Sequence, residues 1–299
     1  MIKRTLLFSN PAYLSTKNEQ LVVRYPDEDI PERQVPIEDI GYLVLEDPQI
    51  TISNRLMEKL LMNGAAVVHC DQRHMPIGLM MPLVGHSEQG ERFRHQISAS
   101  VPLKKNLWQQ TVKAKIQNQA SVLRSRNIAA DNMAHWAKEV GSGDSGYHES
   151  RAAAYYWSKV TGIQDFTRNA KGDPPNALLN YGYAILRAVA ARALVSSGML
   201  PTLGIFHSNK YNAYALADDV MEPYRPMVDL LVLELVDSDA DLEDLTPAVK
   251  QHLLQLPAID VRLGGKKGPL MNAMSRTTHS LFECFAGLSR KLLYPEVDL

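Results

Sequence analysis

The sequence predicts an α+β fold. A small β-rich N-terminal domain, residues 1–84, is joined by a linker and first helix at 85–102 to a larger all-α C-terminal domain, residues 103–299. Two observations predict it. Up to Met81 the apolar residues come in short or alternating runs bordered by Asn-Pro, Pro-Asp, Asp-Pro, Asn-Gly and Met-Pro, which are turn signals. After Pro82 they recur at helical spacing almost throughout.

In the N-terminal part, Thr5–Phe8, Leu21–Arg24, Ile40–Leu45, Ala65–His69 and Ile77–Met81 read as strands. One helix interrupts them: Ser53 caps a segment from Asn54 to about Met62, with Leu56, Leu60 and Leu61 on one face, and Asn63-Gly64 stops it. Gly85–Gly90 is polar and reads as linker. Beyond it, helices are expected over Leu103–Ala129, Ser145–Val160, Asn176–Ser197, Thr246–Leu256 and Pro269–Leu293. Tyr211–Val236 is expected to be mostly helical, broken or kinked at Pro223 and Pro226. There is no internal repeat and no low-complexity segment.

With 299 residues and 45% apolar content the chain can bury a sizeable core, and its 22% charged content is that of an ordinary globular protein. No apolar run approaches the ~20 residues that cross a bilayer. Met1-Ile2-Lys3-Arg4-Thr5 has none of the marks of a secretory signal. Cys70 and Cys284, far apart and without CxxC partners, argue against a disulfide framework or a cysteine zinc site. A reducing, cytoplasmic compartment and no membrane association are expected. Net charge is −1, but it is unevenly spread. Residues 91–130 carry eight Lys/Arg against one acid, and 261–291 six against one. Residues 218–245 carry ten Asp/Glu against one base. Such separation suits phosphates in one place and a cation in another, although each patch alone also reads as a solvated helix face.

Three stretches of the helical part hold the residue types for chemistry. Glu149 opens a helical face containing Ala152 and Ala153, small enough for another backbone to come close; the plain alternative is a first-turn acid favoured by the helix dipole. His207, in Gly204-Ile205-Phe206-His207-Ser208-Asn209-Lys210, stands where an apolar segment turns polar between two helices; the plain alternative is a loop histidine that hydrogen-bonds or caps. In Asp218-Asp219-Val220-Met221-Glu222-Pro223-Tyr224-Arg225-Pro226, Glu222 shares a helical face with Asp218 and Asp219. Like charges so placed repel unless a cation neutralises them, either a metal or the neighbouring Arg225. An oxygen-rich set with one imidazole suits Mg2+ or Mn2+.

These stretches, with Asn10-Pro11-Ala12-Tyr13-Leu14, Cys70-Asp71-Gln72-Arg73-His74-Met75-Pro76-Ile77-Gly78 and Asn176-Ala177-Leu178-Leu179-Asn180-Tyr181-Gly182-Tyr183, resemble in order and spacing the CRISPR-associated integrase family, the first of the two adaptation proteins. The Asp218-Asp219-Val220-Met221-Glu222-Pro223-Tyr224-Arg225 signature and the chain length look closest to members from type II systems, those with a single large effector nuclease.

The resemblance implies a Mg2+ or Mn2+ ion held by Glu149, His207 and Glu222, the catalytic set, with Asp219 in support. Many relatives carry Asp where this chain has Glu222, which lengthens that arm by one methylene. It implies DNA cleavage, and joining of captured-DNA 3′-hydroxyl ends into the CRISPR repeat array by transesterification. It also implies homodimerisation through the β-rich domain and a heterohexamer with the small second adaptation protein, with the large effector nuclease as a further partner. Lys210, Arg225, Lys266 and Lys267 are the individual candidates for DNA contact. The competing reading is a non-catalytic DNA-binding scaffold of the same complex. An unrelated helical metallohydrolase would be expected to show a HExxH or HD doublet or a Gly-rich phosphate loop, and the sequence has none.

Overall fold

The computed structural model describes residues 3–238 and 240–297; Met1 and Ile2 of the N-terminal stretch, Asp239 of the acidic segment, Asp298 and Leu299 lie outside them. The N-terminal region holds β1 (Arg4–Phe8), β2 (Tyr13–Lys17), β3 (Gln20–Arg24), β4 (Arg33–Pro36), β5 (Ile40–Leu45), β6 (Thr51–Ile52), α1 (Asn54–Met62), β7 (Ala66–Cys70) and β8 (Pro76–Met80). One sheet runs β4-β3-β2-β6 and the other β1-β5-β7-β8. In the second sheet β1, β5 and β7 are parallel and β8 closes the edge antiparallel to β7. The Ser53 hydroxyl accepts the Leu56 N–H, so α1 starts where its cap predicts. Strands β2, β4 and β6 lie outside the apolar runs read as strands; β2 and β4 carry lysine, arginine and glutamine that mask the alternation.

Strand β5 explains how the two halves of the chain become one body. Every residue of Ile-Gly-Tyr-Leu-Val-Leu is buried, as a strand covered on both faces requires. Its alternate side chains serve two cores. Tyr42 and Val44, with Ala66 and Val68 of β7, join the core built by the helices. Ile40, Leu43 and Leu45, with Val67, pack instead with Leu14, Leu21, Leu56 and Leu60. The sheet is a wall shared by both.

The remaining elements are α2 (Gln89–Ile97), α3 (Val101–Ser125), α4 (Asp131–Glu139), α5 (His148–Trp157), α6 (Asn176–Ser196), α7 (Ala215–Met221), α8 (Arg225–Asp237), α9 (Pro247–Leu253), β9 (Asp260–Leu263), β10 (Lys266–Pro269) and α10 (Leu270–Phe285). The region is therefore helical but not all-α. The antiparallel β9–β10 hairpin turns at Gly264 and Gly265, both at positive φ, a conformation glycine adopts without strain. Residues 211–214 precede α7 rather than forming part of a helix, and α10 ends at Phe285, eight residues short of the expected Leu293.

Helix α6 is the axis of the helical core. It is the one described helix long and apolar enough to cross a membrane, with a mean hydropathy of 1.2, but 72% of that window is buried by α7, α8, α10 and the sheet. Gly182 lets α8 lie close, since a Cβ there would strike Val228.

One buried ion pair crosses the boundary between the halves. Lys250 Nζ of α9 donates to Glu46 Oε2, just after β5, at 2.8 Å, and Tyr181 Oη of α6 donates to Oε1 at 3.2 Å. Both charged residues are buried. Removing Lys250 leaves Glu46 with only Tyr181 and the half-exposed His74, whose Nδ1 lies 3.5 Å from Oε2, and breaking a buried ion pair in this way costs up to about 3–5 kcal/mol. Lys250→Met is therefore expected to lower unfolding stability by that amount, measured by urea denaturation, while Glu46→Gln with Lys250→Met recovers much of the loss.

Candidate active site

The long helix α3 forms the back of the site. Trp108, Thr111, Lys115 and Asn118 follow one another at three- and four-residue spacing, one stripe turned inward. Buried Asn118 donates its Nδ2 protons to the carbonyls of Pro223 at 2.8 Å and Pro295 at 2.9 Å. Pro223 cannot continue the helical hydrogen-bond ladder, so α7 and α8 are separated by a tight turn, Glu222–Tyr224, and Asn118 satisfies a carbonyl freed there. That turn sets Glu222 against Lys115.

Glu149 reaches the same place from α5. Its helix begins under Asp144, whose two carboxylate oxygens accept the His148 and Glu149 backbone N–H groups at 3.0 Å each. Glu149 thus lies in the first turn, as its sequence context indicates. Lys115 Nζ donates to Glu149 Oε1 at 2.7 Å and lies 2.6 Å from Glu222 Oε2. Arg225 Nε stands 2.8 Å from the other Glu222 oxygen. Neither contact to Glu222 has hydrogen-bond direction, so both are ionic pairs. Burial alone would raise the Glu222 pKa, but the Arg225 and Lys115 charges outweigh it and hold the carboxyl down at about 2.

His207 approaches from the loop between α6 and α7. Asp219, fully buried on α7, shapes that loop: Oδ2 accepts the N–H groups of Ile205 at 2.7 Å and Phe206 at 2.9 Å, and Oδ1 that of His207 at 3.2 Å. The same Oδ1 bonds His207 Nδ1 at 2.5 Å. A side chain at Gly204 would collide with the His207 carbonyl and the Asp219 carboxylate, which is why glycine stands there. Trp108 stacks on Phe206 and meets the His207 ring edge-on. The Asp219 bond raises the His207 pKa against burial, with the Asp219, Glu222 and Glu149 charges adding to it. With Nδ1 held, Nε2 is the nitrogen left for a ligand, the arrangement in which a carboxylate orients a metal-binding histidine.

The three predicted ligands come from α5, the α6–α7 loop and the turn after α7. Two of them meet on Lys115. Among the described residues no three His, Cys, Asp or Glu side chains are gathered closely enough to hold an ion as they stand. The donor set nevertheless fits Mg2+ or Mn2+: two carboxylates already converge on one cation, and an imidazole beside them has its tautomer fixed. The like-charged face foreseen on α7 is resolved by separation. Asp218 takes Arg187, with Nε at 2.6 Å, and Asn212 at 2.7 Å; Asp219 takes the loop; Glu222 takes Lys115 and Arg225.

The basic candidates fare differently. Arg225 is engaged with Glu222 and lies 4.6 Å over the Tyr183 ring. Lys210 lines a cavity of about 420 Å3 together with His207 and Lys104. Lys266 and Lys267 are exposed on β10, outside that cavity. A larger groove of about 680 Å3 is lined by Asn106, Gln109, Gln110, Lys113, Arg290 and Lys291, whose cations come from the two basic segments but were not among the individual candidates. Gln110 staples the chain after α10 along α3 by donating to the Arg290 carbonyl and accepting the Leu292 N–H, each at 2.9 Å. The two basic segments of the sequence thereby meet, and none of the three cations has a carboxylate partner among the described residues.

A two-sheet β-region is thus fused to a helical body in which two acids from separate elements meet on one lysine and unpaired cations line a groove. A family model described as CRISPR associated protein Cas1 matches residues 5–255. A CRISPR-associated endonuclease Cas1 of Neisseria meningitidis is 40% identical over 257 residues, 85% of this chain and 83% of that protein. One from Pyrobaculum aerophilum is 28% identical over 83% and 88%. Among solved structures, a casposase bound to integration product superposes with a TM-score of 0.78 at 18% identity, covering 98% of this chain and 92% of that one. A Cas1 protein from Thermotoga maritima gives 0.73 at 16% identity over 95% and 97%, and these two show the shared fold. The chain belongs to the CRISPR-associated Cas1 family.

Behind the site, buried Asp229 of α8 accepts Tyr183 Oη at 2.5 Å and Tyr156 Oη at 2.9 Å, so it fixes the ring beneath Arg225. Burial raises its carboxyl to about 6 against the pull of those hydroxyls and of Arg225. A folded pKa above the unfolded one means the native state holds a proton the unfolded chain releases. The resulting stability is fully present below the unfolded pKa near 4 and is lost as pH rises through about 6. Wild type minus Asp229→Asn should therefore lose about 3 kcal/mol of relative stability between pH ~4 and ~7, read from urea unfolding across that range.

Proposed function

We propose that this chain is a metal-dependent DNA endonuclease and integrase of CRISPR adaptation. In this reading it joins the 3′-hydroxyl ends of captured duplexes to the repeat array by transesterification. The observation that carries the reading is the convergence of Glu149 and Glu222 on one cation beside an imidazole whose Nδ1 is held by Asp219. Membership of the Cas1 family, and the endonuclease name of its relatives, supply the chemistry to which such a site belongs.

Glu149, Glu222 and His207 Nε2 would hold a Mg2+ or Mn2+ ion. The bound ion supplies charge stabilisation at the phosphoryl centre and lowers the pKa of the attacking hydroxyl. The residues of the chain do the rest. Asp219 holds the imidazole in one tautomer and fixes the loop that presents it. Asn118 holds the turn that presents Glu222, and Asp144 the helix start that presents Glu149. Arg225, braced on Tyr183, keeps Glu222 ionised in a place poor in water. Lys104 and Lys210, in the cavity at His207, are placed for a phosphate near the reacting atoms, and the Lys113–Arg290–Lys291 groove for duplex backbone farther off.

The proposed partners are DNA, a second copy of the chain through the β-rich region, and the small second adaptation protein in a heterohexamer. One structural neighbour is a chain of a Cas6-RT-Cas1–Cas2 complex, TM-score 0.75 at 18% identity, covering 99% of this chain and 36% of that one. A type II system with a large effector nuclease and a cytoplasmic location complete the proposal.

A strand-transfer assay tests it: purified chain, its small partner, a short duplex with 3′-hydroxyl ends, a repeat-bearing plasmid, and Mn2+ or EDTA. Glu149→Gln, His207→Ala and Glu222→Gln should each reduce joining about 100-fold or more, and Asp219→Asn by roughly 10- to 100-fold. Joining at the wild-type rate by the triple variant would refute the site. Replacing Lys113, Arg290 and Lys291 together with Ala should lower the slope of log K for duplex binding against log salt by about 2–3, with manganese binding unchanged. An unaltered slope would remove that groove from the DNA path.

A further inference from the structure

The position of Lys115 goes beyond the catalytic set. A lysine on the buried stripe of a helix, with its side chain only 12% exposed, is costly unless something needs its charge there. Here the ammonium is shared by two carboxylates, at 2.7 Å from Glu149 and 2.6 Å from Glu222. These are two of the three proposed ligands, and they come from elements far apart in sequence. Arg225 engages only one oxygen of Glu222 and is not paired with Glu149. Without Lys115, therefore, Glu149 and Glu222 would face one another with nothing between them.

We propose that Lys115 is a resident place-holder cation, which holds Glu149 and Glu222 together in the metal-free protein and must give up that place when a divalent ion binds. The proposal rests on the reading of Glu149, Glu222 and His207 as metal ligands. Its physical basis is exclusion. An ammonium within 2.7 Å of both oxygens fills the space that an ion bound to the same oxygens would need, and two cations so close repel strongly. The exchange balances: one bound ammonium is released to water on its flexible four-carbon stem, and one ion takes its contacts. Lysine suits this role better than arginine, because it is a compact point charge without a planar fork that would lock it to either carboxylate. Two consequences follow. The two carboxylates stay together without metal, so binding needs no long-range folding. Metal affinity is lowered by the cost of displacing the lysine, which leaves the ion's hold on the site adjustable by substrate phosphates.

Mn2+ binding measured by electron paramagnetic resonance on the full chain tests this, with wild type, Lys115→Met and Glu222→Gln compared. The expected result is that Lys115→Met binds Mn2+ about tenfold or more tightly than wild type, and that Glu222→Gln abolishes the site. Metal-free Lys115→Met should melt at lower temperature than wild type and gain more on adding Mn2+. Equal or weaker Mn2+ binding by Lys115→Met, with wild-type binding abolished in Glu222→Gln, would overturn the place-holder role alone. If wild type and Lys115→Met both lack any Mn2+ binding that depends on Glu222, the metal reading itself fails. Should Lys115→Met not fold, the 15N signal of the Lys115 ammonium in wild type gives the same decision. It should be ordered without metal and become mobile on adding diamagnetic Mg2+; a signal unmoved by saturating Mg2+ contradicts the proposal.

Discussion

Glu222 is a carboxylate almost entirely withdrawn from water that nevertheless stays ionised, and the site is organised around that requirement. Burial disfavours the charge; Arg225 and Lys115 restore it from opposite sides. Each of those cations then needs its own support. Arg225 rests on Tyr183, which is anchored by Asp229 together with Tyr156, so three helices are tied by one buried acid. Lys115 needs a second carboxylate, and Glu149 is brought to it by a helix whose start is set under Asp144. The constraint therefore propagates outward from one side chain to α3, α5, α6 and α8.

A rigid frame is what makes such an arrangement hold. The parallel strands β5 and β7 are shared between two cores, and α6 lies buried against both the sheet and the other helices. The Glu46–Lys250 pair crosses the same boundary. The β-region and the helical region consequently cannot move apart without exposing apolar surface and an ion pair together. In contrast, the groove at Lys113, Arg290 and Lys291 keeps its charges unpaired at the surface, as suits a surface that meets a partner rather than one that supports the fold.

Much of this was legible in the sequence. The Ser53 cap, the all-apolar Ile40–Leu45 run and the apolar periodicity of α6 act locally, so local reading finds them. The prolines at 223 and 226 marked the break at which Glu222 stands. What escaped depends on contacts distant in sequence. Strands β2 and β4 are held by their neighbours rather than by their own alternation. The β9–β10 hairpin is too short for periodicity to register, although its paired glycines were visible. Lys115 was counted merely as part of a basic segment. Its signal was its place: a lysine in register with Trp108, Thr111 and Asn118 on an otherwise buried stripe. Nothing local shows that Glu222 and Tyr183 hold Arg225, which the sequence offered only as a basic residue beside an acidic cluster.

The central claim is that the cation-filled space between Glu149 and Glu222 is a divalent-metal site completed by His207. The most direct measurement is a crystal structure of the full chain grown with Mn2+, with anomalous diffraction recorded at the manganese edge. The account predicts one strong anomalous peak bonded to Glu149, Glu222 and His207 Nε2, with the Lys115 ammonium moved out of that space. A structure in which Lys115 still bridges the two carboxylates and the manganese lies elsewhere would contradict it.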